Sequence, residues 1–400
     1  MICLVPHCGY LSAVSRMLEI YRALRARGAP VRVATHGGTY EHLLRAAAVP
    51  YDQIGPPMTA ARCARFLRDE LGVGPVRQSM YSDDELYEYA TAEADYFRAN
   101  QITTAVTGFT LTTTLSTRLA GVRLVTEHAG SWVPPAFERR LLPPMRGLPR
   151  WLVNAAPPRV RFYCGGFNRV AARLGVEPVP SLAALVLGDL SLVPESPDVL
   201  GVAPADLEAW RPGRGYRPGT RLRYTGPLFA HLDMPLPPAV DAFLDGNDPV
   251  VYVAVNSSPP ALVRALIDAL PKNTKILVAA TVHDLTDLQT DRVTVAGILP
   301  SHLVMPRVAL AVTAGGQGSV QTAMAAGTPV LGVPLQPEQD LNLALLERLG
   351  AGRRTTPARA AADAARILAD PSYREAAAHV HKAYAALDGP AAAAEAILDA

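Results

Sequence analysis

One stretch, residues 308–352, constrains the fold more than any other part of this chain. It opens with an apolar run at 308–312, typical of a buried parallel strand, and continues through a glycine-rich turn at 315–318. Apolar side chains then recur at helical spacing from residue 320, until Gly327 stops the helix. A second apolar strand and a second helix follow. This order of strand, turn, helix, strand and helix predicts a doubly wound α/β domain.

The glycine-rich turn is also a candidate binding site. Gly315, Gly316 and Gly318 allow close approach of a ligand to the backbone, and the helix that follows presents unpaired N–H groups. The helix dipole favours an anion there, and Ser319 adds a hydroxyl donor. A diphosphate suits this chemistry. A tight turn without any ligand is the alternative that the turn alone leaves open.

A second set of residues follows where the next strand should return to the same edge of the sheet. Together the two sets resemble the nucleotide-sugar signature of GT-B glycosyltransferases of the UDP-glycosyltransferase type. The matching residues are Gly315, Gly316, Gly318, Ser319, Gly327, Pro329, Pro334, Glu338, Gln339, Asn342, Gly350 and Gly352. The resemblance implies an α/β protein of GT-B type, with two doubly wound Rossmann-like domains facing across a cleft.

The resemblance also implies a function, which is sugar transfer from a UDP or dTDP donor to a small lipophilic acceptor by metal-independent inversion. No cofactor and no metal are expected, because the nucleotide sugar is a co-substrate. The donor would contact the residues Ser257, Ser258, Ile298, Gly315, Gly316, Gly318, Ser319, Glu338, Gln339 and Asn342. Glu338 and Gln339 would hold sugar hydroxyls, and the backbone of Ile298 would pair with the base.

Three positions depart from the family pattern. The histidine that precedes the glycine pair is replaced by Ala314, the glutamate that holds the ribose by Thr322, and the base before the first long helix by Ala13. One lost hydrogen bond to a charged group costs about 1.5–3 kcal/mol. These departures leave two alternatives open: a catalytically silent relative that assists another enzyme, and a sugar-nucleotide epimerase that uses Glu127 and Glu338.

Candidate catalytic and acceptor residues follow strands of the N-terminal half. His7 and His128 come directly after predicted strands, where ligands bind in open α/β sheets, and either could serve as a general base. For His7, a loop histidine with a structural hydrogen bond is the alternative. The residues predicted to contact the acceptor are Tyr10, Phe109, Glu127 and Trp132. For Glu127 and His128, a satisfied buried pair is the alternative.

Length and composition set the outer bounds. The 400 residues, 49% of them apolar, predict two or three globular domains. The resemblance implies an N-terminal acceptor domain at 1–215, a C-terminal nucleotide-sugar domain at 216–385 and a helix at 386–400 that crosses back. A net charge of +2 gives no reason to expect nucleic acid as a partner. From the residues at the start of the chain we expect no signal peptide, and no apolar run in the sequence is long enough to span a bilayer. We expect a cytoplasmic protein with reduced cysteines, with a homodimer as one expected assembly.

Overall fold

The computed structural model describes residues 1–70, 80–127, 130–145, 147–255, 258–280 and 283–400. Two parallel sheets organise these residues. The strands of the N-terminal half are β1 (Ile2–Leu4), β2 (Val31–Thr35), β3 (Asp52–Gln53), β4 (Thr104–Thr107), β5 (Arg123–Glu127), β6 (Leu190–Val193) and β7 (Arg221–Tyr224). They lie in the order β3-β2-β1-β4-β5-β6-β7, and every pairing is parallel.

The second sheet is also parallel. Its strands are β8 (Val250–Ala254), β9 (Lys275–Ala279), β10 (Val293–Ala296), β11 (Leu310–Thr313), β12 (Val330–Gly332) and β13 (Gly352–Arg354). They are parallel in the order β10-β9-β8-β11-β12-β13. The strands β4, β11 and β12 are buried along their whole length, because helices cover both faces of each sheet.

The helices of the N-terminal half surround its sheet. They are α1 (Leu11–Ala26), α2 (His42–Ala46), α3 (Ala60–Glu70), α4 (Asp83–Ala99), α5 (Thr113–Ala120), α6 (Pro134–Glu138), α7 (Arg150–Ala155), α8 (Cys164–Leu174), α9 (Leu182–Leu185), α10 (Pro197–Leu200) and α11 (Pro204–Glu208). The start of α4 is fixed by a capping box, in which Ser82 and Glu85 satisfy each other's backbone N–H groups.

The helices of the C-terminal half follow its strands. They are α12 (Pro238–Leu244), α13 (Pro260–Ala269), α14 (Ser301–Val304), α15 (Gln317–Ala325), α16 (Pro337–Leu349), α17 (Ala360–Ala369), α18 (Ser372–Ala385) and α19 (Gly389–Leu398), with short 3-10 turns at Thr286–Leu288 and Met305–Arg307. Proline begins α16 and Gly350, at φ +77°, ends it in the left-handed conformation that glycine adopts without strain.

This topology confirms the predicted fold class of two doubly wound α/β units, but the boundary between the sheets differs from the one expected at residues 215 and 216. Strand β7 pairs with β6 and so belongs to the N-terminal sheet. The proline- and glycine-rich stretch before β7 has the composition of a linker, yet it contains α11 and buries Trp210. The first sheet therefore ends at Tyr224. The last helix, α19, packs against α1 of the N-terminal half.

The two halves share an interface. One apolar cluster joins Val199 and Leu200 of α10 to Val320 and Met324 of α15. Arg348 of α16 also donates to the carbonyl of Val199 at 2.7 Å. These contacts hold α10, which follows the carboxyl end of β6, against α15 and α16 of the C-terminal half.

No helix in the described part of the chain combines the length and the apolarity needed to cross a membrane. Its four cysteines are buried and unpaired. Burial raises the pKa of the Cys8 thiol to about 12, so that this group is a neutral side chain of the core.

Candidate active site

The carboxyl ends of the C-terminal strands bring the predicted donor residues to one edge. Strands β8, β11 and β12 are consecutive neighbours in the sheet, so the loops that follow them lie side by side. These loops carry Ser258, the glycines 315–318 and the segment 334–339. Ligands bind at this edge in open α/β sheets.

Gly315 forms the tight turn that begins this edge. Its φ is +87°, and its N–H donates to the hydroxyl of Thr313 at 2.8 Å. A Cβ at this position would lie 2.7 Å from the side chain of Leu343 and 2.8 Å from the carbonyl oxygen of Gln339. Position 315 is therefore closed to a side chain for both conformational and steric reasons.

Gly316 is different, because its surroundings are open. Its φ is −61°, which other residues adopt freely, and a Cβ built on it would meet no heavy atom within 4 Å. Gly316 is also the N-cap of α15, and no side chain caps this helix. The backbone N–H groups in the first turn of α15, Gln317 to Ser319, thus have no side-chain cap and follow directly on the open space at Gly316.

Gly318 lies where the two halves approach each other. A Cβ at Gly318 would be 3.7 Å from the Cβ of Ser12, at the start of α1. Ser12 itself is exposed, and the neighbouring Ala13 is buried. The start of α15 therefore faces the start of α1 across the gap between the two sheets.

Two glutamines of α15 form hydrogen bonds to the opposite half across this gap, and no pattern in the sequence indicates their role. The amides of Gln317, at 2.8 Å, and of Gln321 both donate to the carbonyl oxygen of Pro194, which follows β6. The side-chain oxygen of Gln321 accepts a hydrogen bond from the N–H of Leu228 at 3.2 Å. Both glutamines are buried.

Asn342 links three elements of the candidate site. Its amide donates to the carbonyl oxygen of Gly315 at 3.0 Å and to the carboxylate of Glu338 at 2.5 Å. Its carbonyl oxygen accepts the hydroxyl of Ser131 from the N-terminal half. Asn342 was predicted to contact the donor. In this structure it supports the glycine turn and fastens it to the opposite half.

Other predicted donor residues are distributed along the same edge. Gln339 is buried, and its side-chain oxygen accepts the N–H of Leu335 at 2.8 Å, which closes the turn before α16. Ser258 is fully buried, and its hydroxyl has no partner among the described residues. Ile298 is half-buried in the loop after β10. Ser257 lies outside the described residues.

Ala314 and Thr322, the two departures from the family pattern near the turn, both have defined positions in the structure. Ala314 is buried at the end of β11. The hydroxyl of Thr322 donates to the carbonyl oxygen of Gly318 at 2.8 Å, so it is bonded within its own helix. Neither side chain therefore extends from the turn toward the gap.

His7 lies among aromatic rings at the carboxyl end of β1. Its ring centroid is 4.6 Å from that of Phe66, 5.4 Å from that of Tyr10 and 6.5 Å from that of Phe109. Burial, aided by His36, lowers the pKa of His7 to about 3. The residue therefore stays neutral near pH 7.

The tautomer of His7 bears on the predicted role of general base. Its Nδ1 accepts the N–H of Gly9 at 3.2 Å, so the neutral ring carries its proton on Nε2. That Nε2 is buried and has no partner in the described part of the chain. In this tautomer the N–H on Nε2 is a buried donor, and the lone pair on Nδ1 already accepts a hydrogen bond from Gly9. This arrangement does not suit a base.

Glu127 ends β5 in a fully buried position. Its carboxylate accepts from Nε of Arg16 at 2.7 Å, and its other oxygen has no partner among the residues described. Burial raises the pKa of this carboxyl group, and the guanidinium of Arg16 opposes that shift. Glu127 was predicted to contact the acceptor, and here it forms a buried ion pair with Arg16 of helix α1.

Trp132 and His128 are the remaining predicted residues of the site. Trp132 is half-buried and packs edge-on against Phe137, with centroids 4.9 Å apart. His128 lies outside the described residues. Among the residues that are described, no group of three or more histidine, cysteine, aspartate and glutamate side chains could hold a metal ion.

Glu195 is a buried ionisable residue that sequence reasoning missed. It follows β6 and accepts hydrogen bonds from the hydroxyl of Tyr384 at 2.6 Å and from the N–H of Ser196 at 2.8 Å. Burial raises the pKa of Glu195 to about 7, against the opposing effect of these bonds. Its position after a strand was a signal in the sequence, but Tyr384 lies too far along the chain to be paired with it.

Comparisons with known proteins agree with this architecture. Residues 265–399 match the family model of the erythromycin biosynthesis protein CIII-like C-terminal domain. The chain is 26% identical over 376 residues to vancomycin aglycone glucosyltransferase of Amycolatopsis orientalis, covering 87% of this chain and 84% of that protein.

Two further comparisons extend this result. A PGL/p-HBAD biosynthesis glycosyltransferase of Mycobacterium tuberculosis is 26% identical over 292 residues, and the match covers 68% of this chain but 65% of that relative's length. The structure of the glycosyltransferase VinC in complex with dTDP superposes with a TM-score of 0.68 at 17% identity, covering 100% of this chain and 99% of that one. The chain therefore has the GT-B fold, and its sequence is similar to those of glycosyltransferases of the natural-product type.

Proposed function

We propose that this protein transfers a sugar from a pyrimidine nucleotide diphosphate donor to a small lipophilic acceptor. One observation carries the proposal, namely the uncapped start of α15 at the gap between the halves. Gly316 leaves open space there, and Gly318 faces Ser12 of the other half. A helix N-terminus in this position is suited to an anion that bridges the two halves.

The chemistry of the donor follows from these groups. During transfer the sugar–phosphate bond breaks, and negative charge develops on the leaving diphosphate. The N–H groups of Gln317 to Ser319, the hydroxyl of Ser319 and the dipole of α15 would neutralise that charge without rearranging. We infer that this replaces a metal ion, so that inversion proceeds without one.

For the nucleotide, we infer UDP or dTDP. The VinC structure was determined with dTDP, which supports a thymidine or uridine donor for a chain with the same fold. The loop after β10, with Ile298, would meet the base, and Glu338, whose carboxylate holds Asn342, would stand near the sugar. Gln339 and Asn342 would act mainly by fixing the shape of the turn, because their side chains are already bonded.

The acceptor would bind against the N-terminal half. Tyr10 and Phe109 stand edge to face, with ring centroids 5.5 Å apart, and together with Phe66 they form an apolar wall around His7. The buried Nε2–H of His7 would donate to an oxygen of the acceptor and so position it. His128 then remains the predicted general base, which takes the proton of the attacking hydroxyl.

Calorimetric titration tests the donor site. We expect UDP or dTDP to bind, with ADP as the comparison nucleotide. Gly316→Ala places a methyl group in the open space and should weaken binding at least about tenfold, equivalent to ~1.4 kcal/mol. The N-cap change itself costs roughly 0.5–1 kcal/mol of stability, which leaves the protein folded.

Gly213→Ala is the matched control, because Gly213 also has no atom within 4 Å of a built Cβ and lies in an exposed loop. It should bind the nucleotide as the wild type does. An absence of heat with both pyrimidine nucleotides, or equal affinities in the two variants, would contradict the donor site.

A catalytically silent relative is the second candidate, and the bond that holds Thr322 within α15 favours it. Such a protein would bind the nucleotide without turning it over. Incubation with UDP- and dTDP-sugars, with release of UDP or dTDP as the readout, separates the two: binding with release supports transfer, and binding without release supports the silent relative. An epimerase is less well supported, because Arg16 pairs with Glu127 and Asn342 donates to Glu338.

A further inference from the structure

The segment 139–176 has an unusual charge. It contains no aspartate, glutamate or lysine, and it carries the eight arginines Arg139, Arg140, Arg146, Arg150, Arg159, Arg161, Arg169 and Arg173. The whole chain has 38 basic and 36 acidic side chains, so the rest of the chain is net negative. Positive charge is therefore concentrated on one part of the N-terminal half.

The same segment exposes large apolar side chains. Of the ten that are exposed in the described part of the chain, five belong to it, namely Leu148, Trp151, Leu152, Val160 and Phe162. Trp151 is 59% exposed and Phe162 is 54% exposed, whereas Trp210 is 8% exposed. Scattered exposed apolar residues are ordinary, but five within fifteen positions of sequence, two of them aromatic, indicate a surface that contacts something.

The fold holds these residues in place. Asn154 of α7 exchanges hydrogen bonds with the backbone of Leu142, at 3.0 and 2.9 Å, so that α7 turns Trp151 and Leu152 outward. The carbonyl oxygen of Val160 accepts the N–H of Leu182 at 2.8 Å. These side chains are therefore exposed on an anchored segment.

Four of the charges next to these apolar side chains are not neutralised by any acidic side chain that the structure describes. Arg139, Arg169 and Arg173 form ion pairs with acidic residues. By contrast, no ion pair between described residues involves Arg140, Arg150, Arg159 or Arg161, and all four side chains are exposed. We name Leu148, Arg150, Trp151, Arg159, Arg161 and Phe162 the basic apolar surface.

The parts of this surface are close together. Arg159 comes seven positions after Leu152, the neighbour of Trp151, and an extended chain covers at most about 3.6 Å per residue, so the two parts lie within roughly 25 Å. From Arg159 to Phe162, basic and apolar side chains alternate. A binding partner must therefore offer negative charge and an apolar medium within a few ångströms of each other.

We propose that the basic apolar surface binds the face of an anionic phospholipid bilayer. Headgroup phosphates meet the arginines there, and the aromatic and aliphatic side chains enter the boundary with the acyl chains. A nucleic acid would use the arginines and aromatic rings but would leave Leu148 and Leu152 in water. This peripheral binding does not depend on the donor site at α15.

Vesicle co-sedimentation tests the proposal. The protein should sediment with phosphatidylcholine vesicles that contain phosphatidylglycerol, and much less with phosphatidylcholine alone or at high salt. Removing two charges with R159Q/R161Q should reduce the partition constant roughly 25-fold, from about fivefold for each arginine. Thermal melting of the variant checks that it is folded.

R25Q/R27Q is the matched control. Arg25 and Arg27 have the same spacing and are exposed, and Arg27 donates to the carbonyl of Ala23 as Arg159 does to that of Ala155. This pair lies at the C-terminal end of α1, away from the basic apolar surface in sequence, and its loss should change vesicle binding less than twofold. Equal losses in the two double variants would overturn the proposal, as would a lack of binding to any vesicle.

Tryptophan fluorescence supplies a second readout. The emission should shift to shorter wavelength on anionic vesicles in the wild type, and the shift should disappear in Trp151→Phe, because Trp132 and Trp210 are less exposed. Sedimentation velocity without lipid tests whether a second copy of this chain binds the same surface. A dimer that Trp151→Ser dissociates, without vesicle binding by the wild type, would assign this surface to a second copy of the chain and overturn the membrane proposal.

Discussion

Replacement of Glu195 by glutamine should stabilise the protein above neutral pH. Glu195 is buried between β6, α15 and α18, and its pKa is raised from 4.5 to about 7. A carboxyl group with a raised pKa in the folded state supports folding while it is protonated. That support is complete below pH 4.5 and is lost as the pH rises toward 7.

The magnitude follows from the shift. About 2.5 pKa units at 1.36 kcal/mol each give roughly 3 kcal/mol, which the folded wild type loses between pH 4.5 and 7. Glutamine is a neutral isostere of the protonated carboxyl group, so its side-chain oxygen can still accept from Tyr384 and Ser196. Glu195→Gln should therefore match the wild type near pH 4.5 and exceed its free energy of unfolding by about 3 kcal/mol at pH 8.

Urea titrations of both proteins between pH 4.5 and 8, followed by circular dichroism, measure this difference. All other titrating groups are common to the two proteins, so their contributions cancel in it. Tyr384→Phe is an informative companion, because it removes a hydrogen bond to the ionised carboxylate and should steepen the loss of stability. A difference between wild type and Glu195→Gln that stays constant with pH, or a variant less stable at pH 8, would refute the reasoning.

Three other substitutions test the candidate site. Gly318→Ala should hold or raise the melting temperature, since alanine is favoured in helices by up to about 1 kcal/mol, but its methyl group 3.7 Å from Ser12 should weaken dTDP binding in calorimetry. Glu127→Gln leaves the buried Arg16 without a counter-ion and should cost about 3–5 kcal/mol in urea unfolding. The His7 pKa is lowered from 6.5 to about 3, so protonation opposes folding as the pH falls below 6.5. Urea unfolding should show that the wild type loses roughly 2 kcal/mol in free energy of unfolding relative to His7→Asn between pH 6.5 and 5. The pH–rate profile should have no inflection between pH 5 and 8 that disappears in His7→Asn.

The sequence determined the architecture because its signals are local. Buried parallel strands are continuous apolar runs, so the strands around the glycine turn could be located from the sequence itself. Gly315 and Gly350 have positive φ angles. Such positions can be located in the sequence where a glycine follows a predicted strand or helix. The candidate diphosphate site was found in the same way, because it is made of backbone at one strand-to-helix junction.

Tertiary structure alone decided how the remaining polar groups are used. Gln321, Asn342 and Glu195 bond to residues more than ninety positions away, and pairing over such distances leaves no periodic trace. The tautomer of His7 depends on one backbone N–H, and the sheet to which β7 belongs depends on its pairing with β6. The sequence could place a histidine or a linker-like stretch beside the cleft. Packing brings distant segments together. It decides which nitrogen of the His7 ring donates a hydrogen bond and which accepts one, and it decides at which strand the first sheet ends.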